Sequence, residues 1–400
     1  MMRKTYREFH HLSSTVFAFA MVATSHPARA LELRLDYTYD TNGYFSVPER
    51  KAALEKAAGI LGSLLSDNLQ RIDPADFNQA SWSVFFPDPQ TGNQVTIDNP
   101  VVPKNVVIIY AGARPLAGST VGQGGEAGWS GSGFNDWFAR VGGRGQAGAE
   151  PSDPGSRTDV APFIGYVTFD TTATFNFSQA QANSDTPFVS VALHELCHVL
   201  GIGTCDAWKN LGATGDFTGV AANRSAGTTV AVDGGDGHFD QNTADSPAIA
   251  IFGNPHGRAC PVLMRPTLVT SGGYLTVLTD LDLSGLLDIG WEVRPPLSLA
   301  MSGPGHLSWA SSSFVHYSVE RSTDLNFSAG PLASLDGDGS VFTWNDPAAP
   351  ASKAFYRLGG STLPFGAPAA APIAARSAAA IDSYQTIIEP VRSADCAIAP

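Results

Sequence analysis

The sequence predicts an α+β domain followed by a small all-β sandwich module. Three observations lead to this expectation. A chain of 400 residues is too long for one small core and favours two domains. The first half reads as strand, helix, strands and a further helix, an order typical of α+β folds. After Arg294-Pro295-Pro296 the chain changes to short alternating segments separated by turn residues, as in small β-sandwiches.

The first domain is expected to span residues 31–293. Residues 33–37 and 82–86 alternate between apolar and polar side chains as half-buried strands do, and residues 106–110 and 164–169 read as further strands, the first of them buried. Residues 48–69 carry an apolar stripe at helical spacing, with Pro48 in the first turn. Residues 112–155 are rich in glycine but contain aromatic residues, so we expect an ordered excursion rather than a linker.

Residues 188–400 are expected to contain two helices, a loop-like segment, the sandwich module and a disordered end. Residues 188–200 are apolar enough for a core helix, with Ser184-Asp185 as its expected N-cap. Residues 205–261 are loop-like, and residues 280–290 resemble a capped helix that ends at a glycine. The sandwich module is expected over residues 297–358. Residues 359–400 are rich in alanine and proline and are predicted to be disordered.

The N-terminus is typical of a secretory signal peptide over residues 1–30. Arg3, Lys4 and Arg7 are basic, residues 16–23 are apolar, and Ala28-Arg29-Ala30 fits a cleavage site. No other segment is long enough to span a membrane. The net charge of −13 argues against a nucleic-acid partner. We therefore expect a secreted, monomeric protein.

The stretch from His194 to Gly201 carries the clearest chemical signal. His194 and His198 are four residues apart, so on a helix they lie on one face, and their imidazoles can bind one Zn²⁺. Glu195 is placed to take a proton from a water molecule that the metal activates. Gly201 lets the chain turn sharply out of the helix. The pattern predicts a catalytic zinc site with Glu195 as general base.

A catalytic zinc normally has three protein ligands, and this helix supplies two. The spacing of His194, Glu195, His198 and Gly201 resembles the metzincin metalloproteases, whose next ligand falls at the position of Thr204, which is not a zinc ligand. The chain is instead similar to the leishmanolysin-like branch, where the third histidine lies far downstream.

On that resemblance, His238 in Gly237-His238-Phe239 is the third ligand, and residues 262–266 form the Met-turn with Met264. The closing helix of the domain corresponds to residues 281–291. The resemblance covers about residues 31–293, and implies a zinc endopeptidase with a protein or peptide substrate. Residues 317–325 and 355–358 resemble the β-sandwich modules of bacterial secreted proteins, which implies an accessory role for the second domain.

Several alternatives remain open in the sequence. His256 is the rival third ligand and Asp206 a weaker one, although the resemblance favours His238. The acidic loop around His238 and the run Asp336-Gly337-Asp338-Gly339 could bind Ca²⁺, but neither has a full calcium-loop spacing, so both favour turns. A catalytically inactive metal-binding surface or adhesion protein is the alternative function. A structural site needs no base, so Glu195 favours the peptidase.

The cysteines leave the disulfides undecided. An exported chain permits disulfides. Cys205 and Cys260 flank the long segment after the helix and could join its ends, while Cys197 is expected to pack in the helix. With Cys396 there are four cysteines, and four allow three complete pairings.

Overall fold

The protein is a mixed α+β structure, which confirms the predicted class. The computed structural model describes residues 31–149, 153–178, 185–234, 237–241, 248–249, 259–268, 278–294, 297–350, 354–363, 385–389 and 392–398. The predicted signal peptide, residues 1–30, lies outside the described residues.

Six helices and twenty-two strands lie within these ranges. The helices are α1 Pro48–Leu64, α2 Asn135–Gly143, α3 Phe188–Val199, α4 Asp206–Gly212, α5 Val220–Ala226 and α6 Asp280–Asp288. The first strands are β1 Glu32–Asp36, β2 Ser81–Pro87, β3 Gln94–Asp98, β4 Val106–Arg114, β5 Thr120–Glu126, β6 Gly128–Gly133, β7 Ile164–Asp170, β8 Phe175–Asn176, β9 Thr186–Pro187, β10 Asp216–Phe217 and β11 Val230–Ala231. The others are β12 Ala248–Ile249, β13 Ala259–Cys260, β14 Thr267–Leu268, β15 Ala300–Gly303, β16 His306–Ala310, β17 Val315–Ser322, β18 Pro331–Asp336, β19 Val341–Asn345, β20 Phe355–Thr362, β21 Gln385–Glu389 and β22 Arg392–Ile398.

The central feature is a six-stranded mixed sheet in the order β1-β4-β7-β5-β22-β14. Strands β1, β4 and β7 run parallel to one another, whereas β5 is antiparallel to both of its neighbours, β7 and β22. A second, four-stranded antiparallel sheet has the order β21-β6-β2-β3. Strands β5 and β6 are separated by one residue, so the chain passes directly from the first sheet to the second.

The two faces of the six-stranded sheet bury different layers. Because side chains alternate along a strand, Ile109 and Val167 face one cluster and Tyr110 and Tyr166 the other. The first cluster contains the apolar stripe of α1 and the apolar side chains of α3. The second contains the aromatic side chains of β2, β6 and α2. Helix α3 thus lies between the sheet and the rest of the main core.

Two helices differ at their ends from the sequence prediction. Helix α1 stops at Leu64, not at residue 69, because Leu65 is extended and bridges to Val293. Helix α3 begins at Phe188 after Pro187 and has no side-chain cap, so the predicted cap at Ser184-Asp185 is wrong. Residues 205–261, expected to be loop-like, contain the short helices α4 and α5.

A buried arginine holds the loops that enter the six-stranded sheet. Arg144 has no exposed surface, and its guanidinium donates to the carbonyl oxygens of Gln70, Pro103, Val106 and Pro162. Burial lowers the pKa of Arg144 to about 9. Val106 begins β4 and Pro162 precedes β7, so one side chain fixes the start of two neighbouring strands.

The C-terminal module consists of two three-stranded antiparallel sheets, β15-β16-β19 and β18-β17-β20. The rings of Trp309 and Tyr317, one from each sheet, have their centroids 6.0 Å apart. The alternating segments of the sequence around residues 307–309, 317–319, 341–342 and 355–358 predict four strands, and these are β16, β17, β19 and β20. Strands β15 and β18 were not predicted, and their residues are exposed or only half-buried, so they lack the apolar alternation that marks a strand.

The prediction of a disordered segment over residues 359–400 is wrong for its described parts. Strand β20 extends to Thr362, four residues past the predicted boundary of the module. Strand β21 pairs with β6, and β22 pairs with both β5 and β14. The end of the chain therefore returns to the first domain. The alanine- and proline-rich composition of this segment predicts disorder, so these short strands were not expected.

The module packs against helix α6 of the first domain. Asp280 is 4% exposed, and its carboxylate accepts hydrogen bonds from the backbone N–H and the hydroxyl of Ser313. Ser225 of α5 joins the same contact through the hydroxyls of Ser284 and Ser313. Trp309 and Tyr317 belong to the same hydrophobic cluster as α3. The domains assigned from the sequence thus share one continuous core.

The stability of this contact should depend on pH. Burial raises the pKa of Asp280 from 3.8 to about 6, so the folded state holds the proton more tightly than the unfolded state does. A charged Asp280 therefore costs stability above pH 6, and this cost disappears as the pH falls to 4. The stability gained on Asp280→Asn should be about 1–3 kcal/mol larger at pH 8 than at pH 4.

Chemical unfolding of the chelator-treated protein at both pH values checks this expectation. Asp216→Asn, at an exposed position, is the matched control and should show little difference between the two pH values. A stability change for Asp280→Asn that is equal at pH 4 and pH 8 would contradict the argument.

Candidate metal centre

Helix α3 presents two histidines on one face deep inside the protein. His194 and His198 have no exposed surface, and every residue of the helix is buried. Because they are four residues apart, one imidazole lies above the other, with ring centroids 4.7 Å apart. Gly201 has φ +106°, so the chain leaves the helix through a left-handed turn, as the sequence predicts.

The third histidine comes from the loop that follows β11. His238 is 5% exposed, and its ring centroid lies 5.1 Å from that of His194 and 4.9 Å from that of His198. A tight turn fixes its backbone: Asp233 N donates to His238 O, and His238 N donates to the Asp233 carboxylate. The structure therefore brings together the three histidines that the sequence analysis selected.

The loops on either side of the site touch through their backbones. Gly203 has φ +75°, and a Cβ placed on it would lie 2.1 Å from the carbonyl oxygen of Gly237, the residue before His238. No side chain fits in that space. Gly203 thus lets the turn after α3 support the loop that carries the third histidine.

The Nε2 atoms of the three histidines converge. The distance from His194 Nε2 is 3.0 Å to His198 Nε2 and 3.2 Å to His238 Nε2. Nitrogens bound to one tetrahedral zinc ion at about 2.0–2.1 Å lie about 3.3–3.4 Å apart, so the spacing fits a shared ion. Within the described ranges, this trio is the one group of histidine, cysteine and acidic side chains that could hold a metal.

Hydrogen bonds decide which ring nitrogen of each histidine carries a proton. His194 Nδ1 lies 2.8 Å from Leu263 O, and His198 Nδ1 lies 2.8 Å from Ile202 O. Carbonyl oxygens only accept, so both Nδ1 atoms donate and both Nε2 atoms keep their lone pairs. His238 Nδ1 is 3.6 Å from the Asp233 carboxylate. Lone pairs that converge without a proton between them repel, and a bound cation removes that repulsion.

The electrostatics of the site keep two of the imidazoles neutral. Burial lowers the pKa of His194 well below its usual value, and the neighbouring imidazoles lower it further. Burial, followed by the charge of His238, lowers the pKa of His198 to about 3. Burial acts in the opposite direction on Asp233, but its bond with His238 holds the pKa of that carboxyl below its ordinary value. Neutral imidazole is the form that binds a metal ion.

Glu195 lies against a strand that has no side chains at the points of contact. It is fully buried beside His194. A Cβ on Gly122 would lie 2.4 Å from Glu195 Oε1, and one on Gly124 would lie 2.4 Å from Glu195 O. Both glycines belong to β5. Strand β5 can therefore approach helix α3 closely only because these two positions are glycine.

The segment that contains Met264 connects the site to helix α6. Met264 is fully buried, and its carbonyl oxygen accepts from the N–H of Phe239, next to His238. The carboxylate of Asp282 accepts from the N–H groups of Leu263 and Met264 at 3.1 and 2.8 Å. The same carboxylate accepts from the N–H and hydroxyl of Thr279, which caps α6. Asp282 thus positions Leu263, whose carbonyl orients His194.

The other residues considered as a third ligand do not join the histidine group in the described part of the chain. Asp206 forms an ion pair with Arg157 at 2.6 Å, so it is not part of the histidine group. Thr204 donates its hydroxyl to His198 O and supports the turn after the helix. His256 lies outside the described residues.

The two possible calcium loops are explained by local contacts where they are described. Asp336 accepts from His316 Nδ1 at 2.7 Å, and Asp338 accepts from Ser340 N at 2.9 Å. The first bond joins β18 to β17, and the second holds the turn between β18 and β19 that the sequence favours. Asp233 is bound to His238, which gives the acidic loop a role in orienting an imidazole.

The structure describes two of the four cysteines in full. Cys197 is buried on α3, as predicted, and burial raises the pKa of its thiol. The Cys205 sulfur accepts from Trp208 N at the start of α4. The side chains of Cys260 and Cys396 lie outside the described part of the chain, so the pairing of Cys205 with Cys260 stays a prediction.

Sequence reasoning missed the residues that position the histidines. Asp233, Gly203 and Asp282 act through long-range contacts that no local pattern marks. The spacing of Thr279 and Asp282 is a capping box, however, and this signal predicts a buried, hydrogen-bonded carboxylate at the start of α6.

Comparison of the chain with protein-family models, with curated proteins and with solved structures finds no match. Within the described residues, no helix is both long and apolar enough to cross a membrane. The chemistry of the site therefore rests on its geometry alone.

Gly203→Ala should weaken metal binding because a methyl group there displaces the backbone at Gly237. We expect a loss of about tenfold or more in zinc affinity, measured by competition with a chromogenic chelator. Gly215→Ala is the matched control: Gly215 has a similar φ of +87° but open space around it. Both variants should lose stability, and only the first should lose affinity. Equal affinities would show that the contact does not position His238.

Asp282→Asn should also weaken metal binding, by about 10- to 100-fold, because an amide cannot accept all the N–H groups around it. Asp288→Asn is the control. Asp288 is a half-buried carboxylate on the same helix that accepts from Ala221 N and Ala222 N, away from the histidines. Titration with zinc at a temperature where both variants remain folded separates the two effects. If both lose affinity equally, the Asp282 effect is one of general stability.

Proposed function

We propose that this protein is a secreted zinc-dependent endopeptidase, similar to the leishmanolysin-like branch of the metzincins. The observation that carries the proposal is the convergence of three imidazole Nε2 atoms immediately beside the carboxylate-bearing residue Glu195. Three histidines and a neighbouring carboxylate are the residue set of a catalytic zinc site with one open position.

The choice of zinc rests on the donor atoms. Imidazole nitrogens suit zinc, copper, iron and nickel, and a set of three histidines without a carboxylate ligand favours zinc among the abundant metals. The orientation of the imidazoles supports the same choice. Their Nδ1 atoms face Leu263 O, Ile202 O and the Asp233 carboxylate, as the outer partners of zinc-bound histidines do.

The chain's own residues supply positioning and proton transfer. When bound, a zinc ion polarises the peptide carbonyl and lowers the pKa of a water molecule to about 7. His194, His198 and His238 would hold the ion through their Nε2 atoms. Glu195 accepts a proton from the attacking water and later gives it to the leaving amine, because its carboxylate follows the first ligand directly. The glycines of β5 leave room for that carboxylate.

An inactive metal-binding surface or adhesion protein is the second candidate. The burial of the site favours it: His194, Glu195 and His198 have no exposed surface and His238 is 5% exposed, as in a structural metal site. Structural zinc sites, however, are closed by four protein ligands, and the described residues offer three. The two candidates differ in the role of Glu195, which only a peptidase needs.

Replacing Glu195 separates the two functions. Purified protein should contain about one zinc per chain by elemental analysis. Glu195→Gln should keep that zinc and lose casein cleavage by about a hundredfold or more, because an amide cannot accept the proton. Glu55→Gln, on an exposed position of α1, should change neither.

Two further results decide the assignment. His238→Ala should lower zinc affinity much more than His256→Ala, and the reverse order would transfer the third-ligand role to His256. Full zinc content with no detectable casein cleavage in the unaltered chain would favour the structural site. If protein expressed with zinc supplied contains no zinc, both proposed functions are wrong.

A further inference from the structure

The metal centre is closed to a large substrate in this structure. The three histidines and Glu195 together have almost no exposed surface. A polypeptide must nevertheless reach the metal if the protein is a peptidase. Part of the structure beside the site must therefore move, and strands β5, β7 and β22 contact α3 there.

Strand β5 is the part of the sheet that lies closest to Glu195. Gly122 and Gly124 touch this residue without intervening side chains. One edge of β5 pairs with β7 in the centre of the sheet. Its other edge faces away from the sheet centre, and the backbone N–H and C=O groups there can pair with a further strand. Such an edge is a site for an extended polypeptide, which binds by strand addition.

The C-terminal strand of the same chain occupies that edge. Strand β22 runs antiparallel to β5 from the pair Arg392↔Glu126 to the pair Cys396↔Gly122. It also contacts helix α3. Position 396 therefore lies opposite the glycine that packs against Glu195.

The end of β22 also pairs with the strand that follows the Met264 segment. Thr267 and Leu268 of β14 pair in parallel with Ala397 and Ile398. Strand β14 begins three residues after Met264, whose segment holds His194 and His238 in place. In the sheet, strand β22 thus lies between β5, which touches Glu195, and β14, which follows the Met264 segment.

We propose that the chain's own C-terminal strand β22 is an intramolecular inhibitor, because it occupies the outer edge of β5 and keeps an extended polypeptide from docking there. The inhibitory half rests on the proposed peptidase function; the docking half does not. Residues 364–384 connect β20 to β21 and tether the segment, which gives a tethered strand an effective concentration of about millimolar. A substrate at lower concentration competes poorly until the strand leaves.

Proline in β22 tests the docking half. Ala394 lies opposite Gly124 in the middle of the strand, and proline there removes an N–H and obstructs pairing. Ala379→Pro, in the tether, is the matched control. A labelled peptide of residues 392–398 should bind Ala394→Pro at least about tenfold more tightly than it binds the control or the unaltered chain. Chelator is present throughout, so this result does not depend on catalysis.

Cleavage assays with zinc test the inhibitory half. Ala394→Pro should cleave a quenched peptide at least about tenfold faster than the control does. If the variant binds the labelled peptide but cleaves nothing, the docking site stands and the proposed peptidase function fails. If peptide binding is the same in all three proteins, the proposal is overturned whatever the cleavage rates are.

A second form of the protein removes the concern that Ala394→Pro does not fold. A site for a specific protease is placed within residues 371–376 of the full chain and cut after folding. Binding of the labelled peptide to the cut protein should rise on dilution, because the released segment loses its high effective concentration. The uncut protein should show no such rise. Equal binding by the cut and uncut proteins at every dilution overturns the proposal.

Discussion

The convergence of three imidazole lone pairs in a dry interior is the constraint on which the rest of the structure depends. Nitrogens 3.0 and 3.2 Å apart without a proton between them repel each other. The fold compensates from outside: Leu263 O, Ile202 O and the Asp233 carboxylate each fix the far nitrogen of one ring. Asp282 in turn holds the Leu263 segment. A carboxylate on α6 thus controls the orientation of an imidazole on α3.

Local sequence patterns predicted those features that local forces produce. The strands at β1, β2, β4 and β7 follow from alternation and apolar runs, and the histidine pair follows from helical spacing. His238 was selected through a family resemblance, because no local pattern marks a ligand that lies forty residues beyond the helix. The contacts between residues far apart in the sequence could not be predicted. Arg144 binds four carbonyl groups that come together only in the folded chain, and Gly203 meets Gly237 only there.

The C-terminal segment shows where composition misleads. Alanine- and proline-rich sequence predicts disorder because it offers little apolar surface to bury. The backbone groups of β21 and β22 instead find partners in the two larger sheets, where β21 pairs with β6 and β22 pairs with β5 and β14. Pairing with strands of the existing sheets thus stabilises a segment whose own composition does not favour a strand. The same logic explains why the fully exposed or half-buried strand β18 escaped the sequence analysis.

The three histidines and their partners lie far apart in the sequence, so an ion bound to them would also affect the stability of the fold. His194 lies 44 residues before His238, and the backbone group that orients it lies 69 residues away. One ion bound here acts as a topological cross-link. It closes a large loop of the unfolded chain and so lowers the entropy of that state, as a disulfide does. The metal would thereby tie the chain that carries α4, α5 and β11 to the core helix, and loss of the ion would loosen this excursion first.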